Sequence, residues 1–97
     1  MRIIGIDPGL RHTGWGIVEF KNNKLNYIGD GRISPSTSIP DGERLFFIKK
    51  QLLEIISKYI PNKSAIEQIF VGFGAGSSLK LGMARGVSMS VLAESGL

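Results

Sequence analysis

The chain has 97 residues, enough for one core and too few for a two-lobed kinase or an ATPase with its own lid domain. Apolar residues make up 42% and charged residues 21%, ordinary globular values that exclude wholesale disorder, and the lack of cysteine excludes disulfide scaffolds, thiolate zinc sites and cysteine nucleophiles. Twelve Lys and Arg against eight Asp and Glu leave a net charge of +4, which suits either a polyanionic partner or a merely basic solvated surface.

Arg2 to Ile6 (RIIGI) is a β-branched run without helical period and predicts a strand buried on both faces. Asp7-Pro8-Gly9 ends it, because proline cannot donate to a continuing central strand. Residues 12–20 (HTGWGIVEF) and 24–33 (KLNYIGDGRI) predict two more strands, joined by a tight turn at Asn22-Asn23. After a polar loop with two prolines, Asp41 is the expected cap of a helix. Leu45, Ile48, Leu52, Ile55, Ile56 and Tyr59 fall on one face of that helix, and Pro61 stops it.

A second apolar strand is expected over 64–71, interrupted by Glu67. Gly72, Gly74 and Gly76 predict a loop, and Ser77 is the expected cap of a last helix reaching Glu94. That helix carries an apolar stripe (Leu79, Met83, Val87, Val91) and a small-residue stripe (Ser78, Gly82, Gly86, Ser90). Mid-helix glycine costs about 1 kcal/mol relative to alanine, so close packing, on this chain's own sheet or on a second subunit, accounts for two of them. Lys80, Arg85 and Glu94 exclude a membrane helix, no apolar run reaches the roughly 20 residues of a bilayer span, and no signal peptide is visible, so a cytoplasmic protein is expected.

The order β-β-β-α-β-α places a helical crossover between the first strand and the strand before Glu67, so these two are expected to lie side by side and parallel. Asp7 and Glu67 would then face each other at the carboxyl ends of adjacent strands, where α/β sheets collect ligands. Two carboxylates that close share a proton or bind a cation, and Mg²⁺ takes oxygen donors of this kind to cleave phosphodiesters. Each residue also has a plain structural role open to it, Asp7 as a turn former and Glu67 as a solvated strand end. The sole histidine, His12, has no partner at metal-ligand spacing, and exposure or a local turn contact is expected of it rather than catalysis.

Three motifs in order, GIDPGLRHTGWGIVEF, AIEQIF and SSLKLGMARGV, resemble the bacterial crossover junction endodeoxyribonucleases of the RuvC type over nearly the whole chain. The resemblance implies an RNase H-like α/β fold with a mixed sheet, residues 1–97 forming a single, incomplete nuclease domain. It implies a homodimer that nicks two strands of a four-way (Holliday) DNA junction with Mg²⁺, in recombination and repair, alongside a branch-migration helicase. By position in the motifs, Asp7 and Glu67 are the implied catalytic and metal-binding carboxylates, and Phe70 the aromatic that approaches DNA. An exposed Phe70 would stack on a base; a buried one would simply be core. Lys80 and Arg85 are further candidates for DNA contact. Residues 71–76 (VGFGAG) are glycine-rich where the family has a polar stretch, and residues 1–97 lack the family's C-terminal strand and helix with their further acidic ligands, as the N-terminal portion of such a protein would. Nuclease activity of residues 1–97 is therefore expected to be impaired. Three other readings compete: an actin-like or sugar-kinase phosphate-binding domain, an RNase H-like nuclease acting on RNA, and a domain that binds DNA or dimerises without cutting.

Overall fold

The structure, a computed structural model, describes residues 1–67 and 75–97. The chain runs β1 (Arg2–Asp7), β2 (Thr13–Lys21), β3 (Lys24–Ile33), α1 (Asp41–Tyr59), β4 (Lys63–Ile66) and α2 (Ala75–Glu94). The four strands form one sheet in the order β3-β2-β1-β4. β1 pairs antiparallel with β2 and parallel with β4, as the helical crossover predicts.

Local chemistry explains most boundaries. Asn22 and Asn23 take φ of 54° and 61°, the left-handed pair that a two-residue hairpin turn needs and that asparagine tolerates. A bulge follows in the hairpin: Ile17 pairs with Gly29, but Val18 pairs with Tyr27. The extra residue, Ile28, packs against the core, and Tyr27 is exposed. Arg2 ties the crossover to the start of β1. Its guanidinium donates to the Tyr59 carbonyl at 2.8 Å, and its backbone N–H donates to Asn62 Oδ1 at 2.9 Å.

Both helices contribute to a single core on one face of the sheet. Ile4, Ile6, Ile17 and Ile33 of the strands meet Ile48 and Leu52 of α1 and Ala84, Val91 and Leu92 of α2. Three expectations need correction. Asp41 is the first residue of α1 rather than its cap, and its carboxylate sits 3.5 Å from Arg44. α2 begins at Ala75, so Ser77 lies inside it. The face that α2 buries matches the expected apolar stripe only in part: Val91 is core and Val87 packs against it, but Leu79 is 63% exposed, and Ala84 and Ser88 are fully buried. Small side chains here let two helices approach closely, and buried Ser88 satisfies its hydroxyl on the Ala84 carbonyl at 2.8 Å. Gly86, of the expected small stripe, is exposed, and a Cβ there would meet nothing within 4 Å. Within the chain, that glycine is not needed for packing. The part of the expected 64–71 strand beyond Glu67 lies largely outside the described residues, as do Phe70 and the loop glycines Gly72 and Gly74.

Candidate active site

The opposite face of the sheet carries the candidate site. Strand register arranges it in two rows. Glu67, Asp7, Gly14 and Arg32 follow one another across β4, β1, β2 and β3; Ala65, Gly5, Gly16 and Asp30 form the next row. Glu67 stands one residue beyond β4, yet its N–H donates to the Ile6 carbonyl at 3.0 Å, so it continues the parallel ladder. Asp7 and Glu67 are therefore neighbours across one strand spacing of about 5 Å.

Between the acidic pair and the β3 side chains the floor holds only glycine and alanine. A Cβ at Gly5 or Gly16 would meet nothing within 4 Å, and one at Gly14 would lie 3.7 Å from Asp7 Cβ. The missing side chains leave an open groove of about 780 Å³. Asp30 and Arg32 line its far side, two strand spacings or about 10 Å from Asp7. Nothing local marks Asp30, which lies between two glycines on an outer strand, for this groove; only the hairpin register puts it on the same face as Asp7.

Electrostatics single out the pair. A hydrogen bond with the Asp7 side chain, and the charge of that carboxylate, raise the Glu67 carboxyl above the ordinary glutamate range. Both residues are exposed, so burial adds little. Two oxygen-rich, mutually repelling groups fit a hard divalent cation, which would relieve their repulsion. Among the described residues no cluster of three His, Cys, Asp or Glu side chains comes together.

The loop after Asp7 is held rigidly. Thr13, fully buried, donates to the Gly9 carbonyl at 2.7 Å and accepts from the Gly9 N–H at 3.3 Å. A Cβ at Gly9 would overlap the His12 carbonyl oxygen, so the turn requires glycine there. His12 is exposed, and its Nδ1 lies 2.7 Å from Ser34 Oγ just after β3, a contact across 22 residues rather than within its own turn. Arg85 lies next to the carboxylate pair: its Nε donates to the Glu67 carbonyl at 3.4 Å, and its guanidinium also reaches Met89 Sδ at 3.0 Å. Lys80 lies elsewhere, on a second groove lined also by the β1–β2 loop. Glu94 is not part of either groove and pairs with Lys49 at 3.7 Å.

A mixed sheet of this order, with a crossover helix and acidic residues at the ends of its two parallel strands, defines an RNase H-like domain. The family model for crossover junction endodeoxyribonuclease RuvC matches residues 3–97, and the chain belongs to that family. It is 47% identical over 97 residues to the crossover junction endodeoxyribonuclease RuvC of Rhodopseudomonas palustris (strain BisA53), covering 100% of this chain and 56% of that protein. The solved structure of T. thermophilus RuvC in complex with Holliday junction substrate superposes with a TM-score of 0.90 at 30% identity, covering 99% of this chain and 59% of that one. The Aquifex aeolicus PPX-GPPA enzyme, at 20% identity and a TM-score of 0.58 over 100% of this chain and 34% of that one, shares the fold alone. The chain thus spans a little over half the length of the relatives it matches. No helix among the described residues is long and apolar enough to cross a membrane.

Proposed function

We propose that residues 1–97 are the N-terminal part of a Mg²⁺-dependent endonuclease that resolves four-way DNA junctions by paired nicks. The observation that carries this reading is the Asp7 and Glu67 pair, side by side on neighbouring parallel strands at the edge of a glycine-lined groove, in a chain of the RuvC family. Asp7 and Glu67 would hold Mg²⁺ through carboxylate oxygens, and the bound ion would supply an activated water and charge stabilisation for the leaving oxygen. Gly5, Gly14 and Gly16 let a sugar-phosphate chain come within reach of the carboxylates. Arg32, on the opposite wall, offers a guanidinium to a phosphate, and Arg85 fixes the Glu67 backbone so that its carboxylate keeps its direction. A homodimer places two such sites for two strands, and the same family membership supports a branch-migration helicase as partner.

The test is conservative neutralisation of either carboxylate in the family-length protein. Asp7→Asn and Glu67→Gln should each abolish junction cleavage at saturating Mg²⁺ while junction affinity stays within a few-fold. Full nicking by either variant would refute the assignment.

A second reading, a domain that binds DNA or dimerises without cutting, draws on the carboxylate count. Two Mg²⁺ bring four positive charges, and the pair returns two negative ones. Mg²⁺ binds through carboxylates together with substrate oxygens, and it dehydrates reluctantly. Residues 1–97 alone should bind Mg²⁺ weakly and nick a four-way junction slowly and without pairing. Efficient paired cuts by this chain would exclude the non-cutting reading.

A further inference from the structure

The second groove, about 790 Å³, opens between the β1–β2 loop, the start of α1 and the first turns of α2. Arg11 and His12 of the loop, Arg44 of α1 and Lys80 of α2 line it together with the Thr37 hydroxyl, and no carboxylate among the described residues does. Three permanent cations are thus gathered in one concavity, from parts of the sequence more than thirty residues apart.

Arg44 makes this more than a basic surface. Its residue is only 7% exposed, an unusual place for a guanidinium. One terminal nitrogen donates to the Leu10 carbonyl at 3.1 Å, and the other sits 3.5 Å from Asp41, whose own side chain is 42% exposed. Its Nε, fully enclosed, has no acceptor among the described residues. A buried cation with an unused donor, whose counter-charge at 3.5 Å is half solvated and stands outside the groove, leaves positive potential in the groove floor. An anion above that floor, gripped by the exposed Arg11 and Lys80, would offset it. The Leu10 contact also makes Arg44 the strut that holds the loop carrying Arg11 and His12, so the groove is fixed before a ligand arrives.

We infer that this groove is a phosphate-binding site, separate from the carboxylate pair, that takes a backbone phosphate of bound DNA. Since Gly9 lies only two residues beyond Asp7, the loop that ends the acidic strand also forms a wall of the cationic groove. One strand can therefore present one phosphate to the carboxylates and anchor another here. The nature of the polyanion rests on the nuclease reading above; the cationic groove itself does not.

The experiment is duplex and four-way-junction binding by the full chain across a series of salt concentrations. Arg11→Ala/Lys80→Ala removes two exposed groove charges and leaves the buried strut Arg44 in place. Lys21→Ala/Lys24→Ala, at the hairpin end remote from Asp7, removes the same charge elsewhere. For the groove variant the slope of log affinity against log salt should fall by about 2, with weaker binding to all sequences, and the hairpin variant should leave it unchanged. Equal losses in the two variants, or none in the groove variant, would overturn the proposal. Inorganic phosphate is a second probe, read from the Gly9 and His12 amide resonances. Shifts with phosphate alone define a site for the phosphate group itself, and shifts with DNA only define one for a phosphodiester chain; shifts with neither overturn it. Loss of slope without preference for the junction over duplex keeps the groove and defeats the junction reading. Junction preference with an unchanged slope does the reverse.

Discussion

The carboxyl of Glu67 is raised above its ordinary range by that of Asp7, although 60 positions separate them, because β4 lies parallel to β1 in the register Ile6 to Ile66 and the two residues end neighbouring strands. Each side chain is ordinary in its own segment. Together they form a local concentration of negative charge that solvent alone does not relieve.

This pair should be visible by titration. The folded chain holds the Glu67 proton more tightly than the unfolded chain does, so its contribution to stability is full below the ordinary glutamate range and is lost as pH rises through the raised value. Asp7→Asn removes the carboxylate behind the two largest causes of the shift and leaves only the smaller effect of burial. Carboxyl ¹³C NMR should find Glu67 titrating near the ordinary range in that variant, and stability should no longer decline across the same window. A Glu67 titration unchanged by Asp7→Asn would mean that the two groups do not interact.

The emptiness of the groove floor can be tested by filling it. A side chain at Gly16 meets nothing within 4 Å, and valine favours a strand by up to about 1 kcal/mol over glycine. Gly16→Val should hold or raise the unfolding midpoint while weakening nucleic-acid binding and cleavage in the family-length protein. A drop in stability with unchanged binding would show that the glycine serves the fold.

Thr13 should matter far beyond its size. Thr13→Val keeps the shape and removes both contacts to Gly9, leaving the loop's N–H and carbonyl without their partner. The expected loss is about 1–3 kcal/mol in denaturant unfolding. A neutral result would mean that water or a shift of the loop replaces the hydroxyl.

On α2, Gly86→Leu distinguishes packing inside the chain from packing between chains. Glycine costs a helix interior about 1 kcal/mol, and the site is open, so the variant should be as stable as the parent or more so. Sedimentation then reads the association state. Loss of a dimer with the fold intact would place Gly86 in a subunit interface; a lower unfolding midpoint with the dimer intact would contradict the open position.

The sequence determined the parts whose physics is local. The β-branched run at β1, the Asn22-Asn23 turn, the amphipathic period of α1 and the stop at Pro61 all follow from preferences acting within a few residues, and the topology followed from the crossover. It also brought Asp7 and Glu67 together, because both end apolar strands joined by that crossover. Tertiary structure decided what depends on register and rotation. Whether Asp30 shares a face with Asp7 turns on hairpin pairing, since a slip of one residue would send it to the other side. Which stripe of α2 is buried depends on the helix it meets. Of Leu79, Met83, Val87 and Val91, Val91 is core and Val87 packs against it, but Leu79 is exposed, and the buried face takes in the small residues Ala84 and Ser88 instead. Arg44 sits at a position where the helical period alone does not call for a charge, and its burial reflects the Leu10 carbonyl, 34 residues away in sequence, that it satisfies.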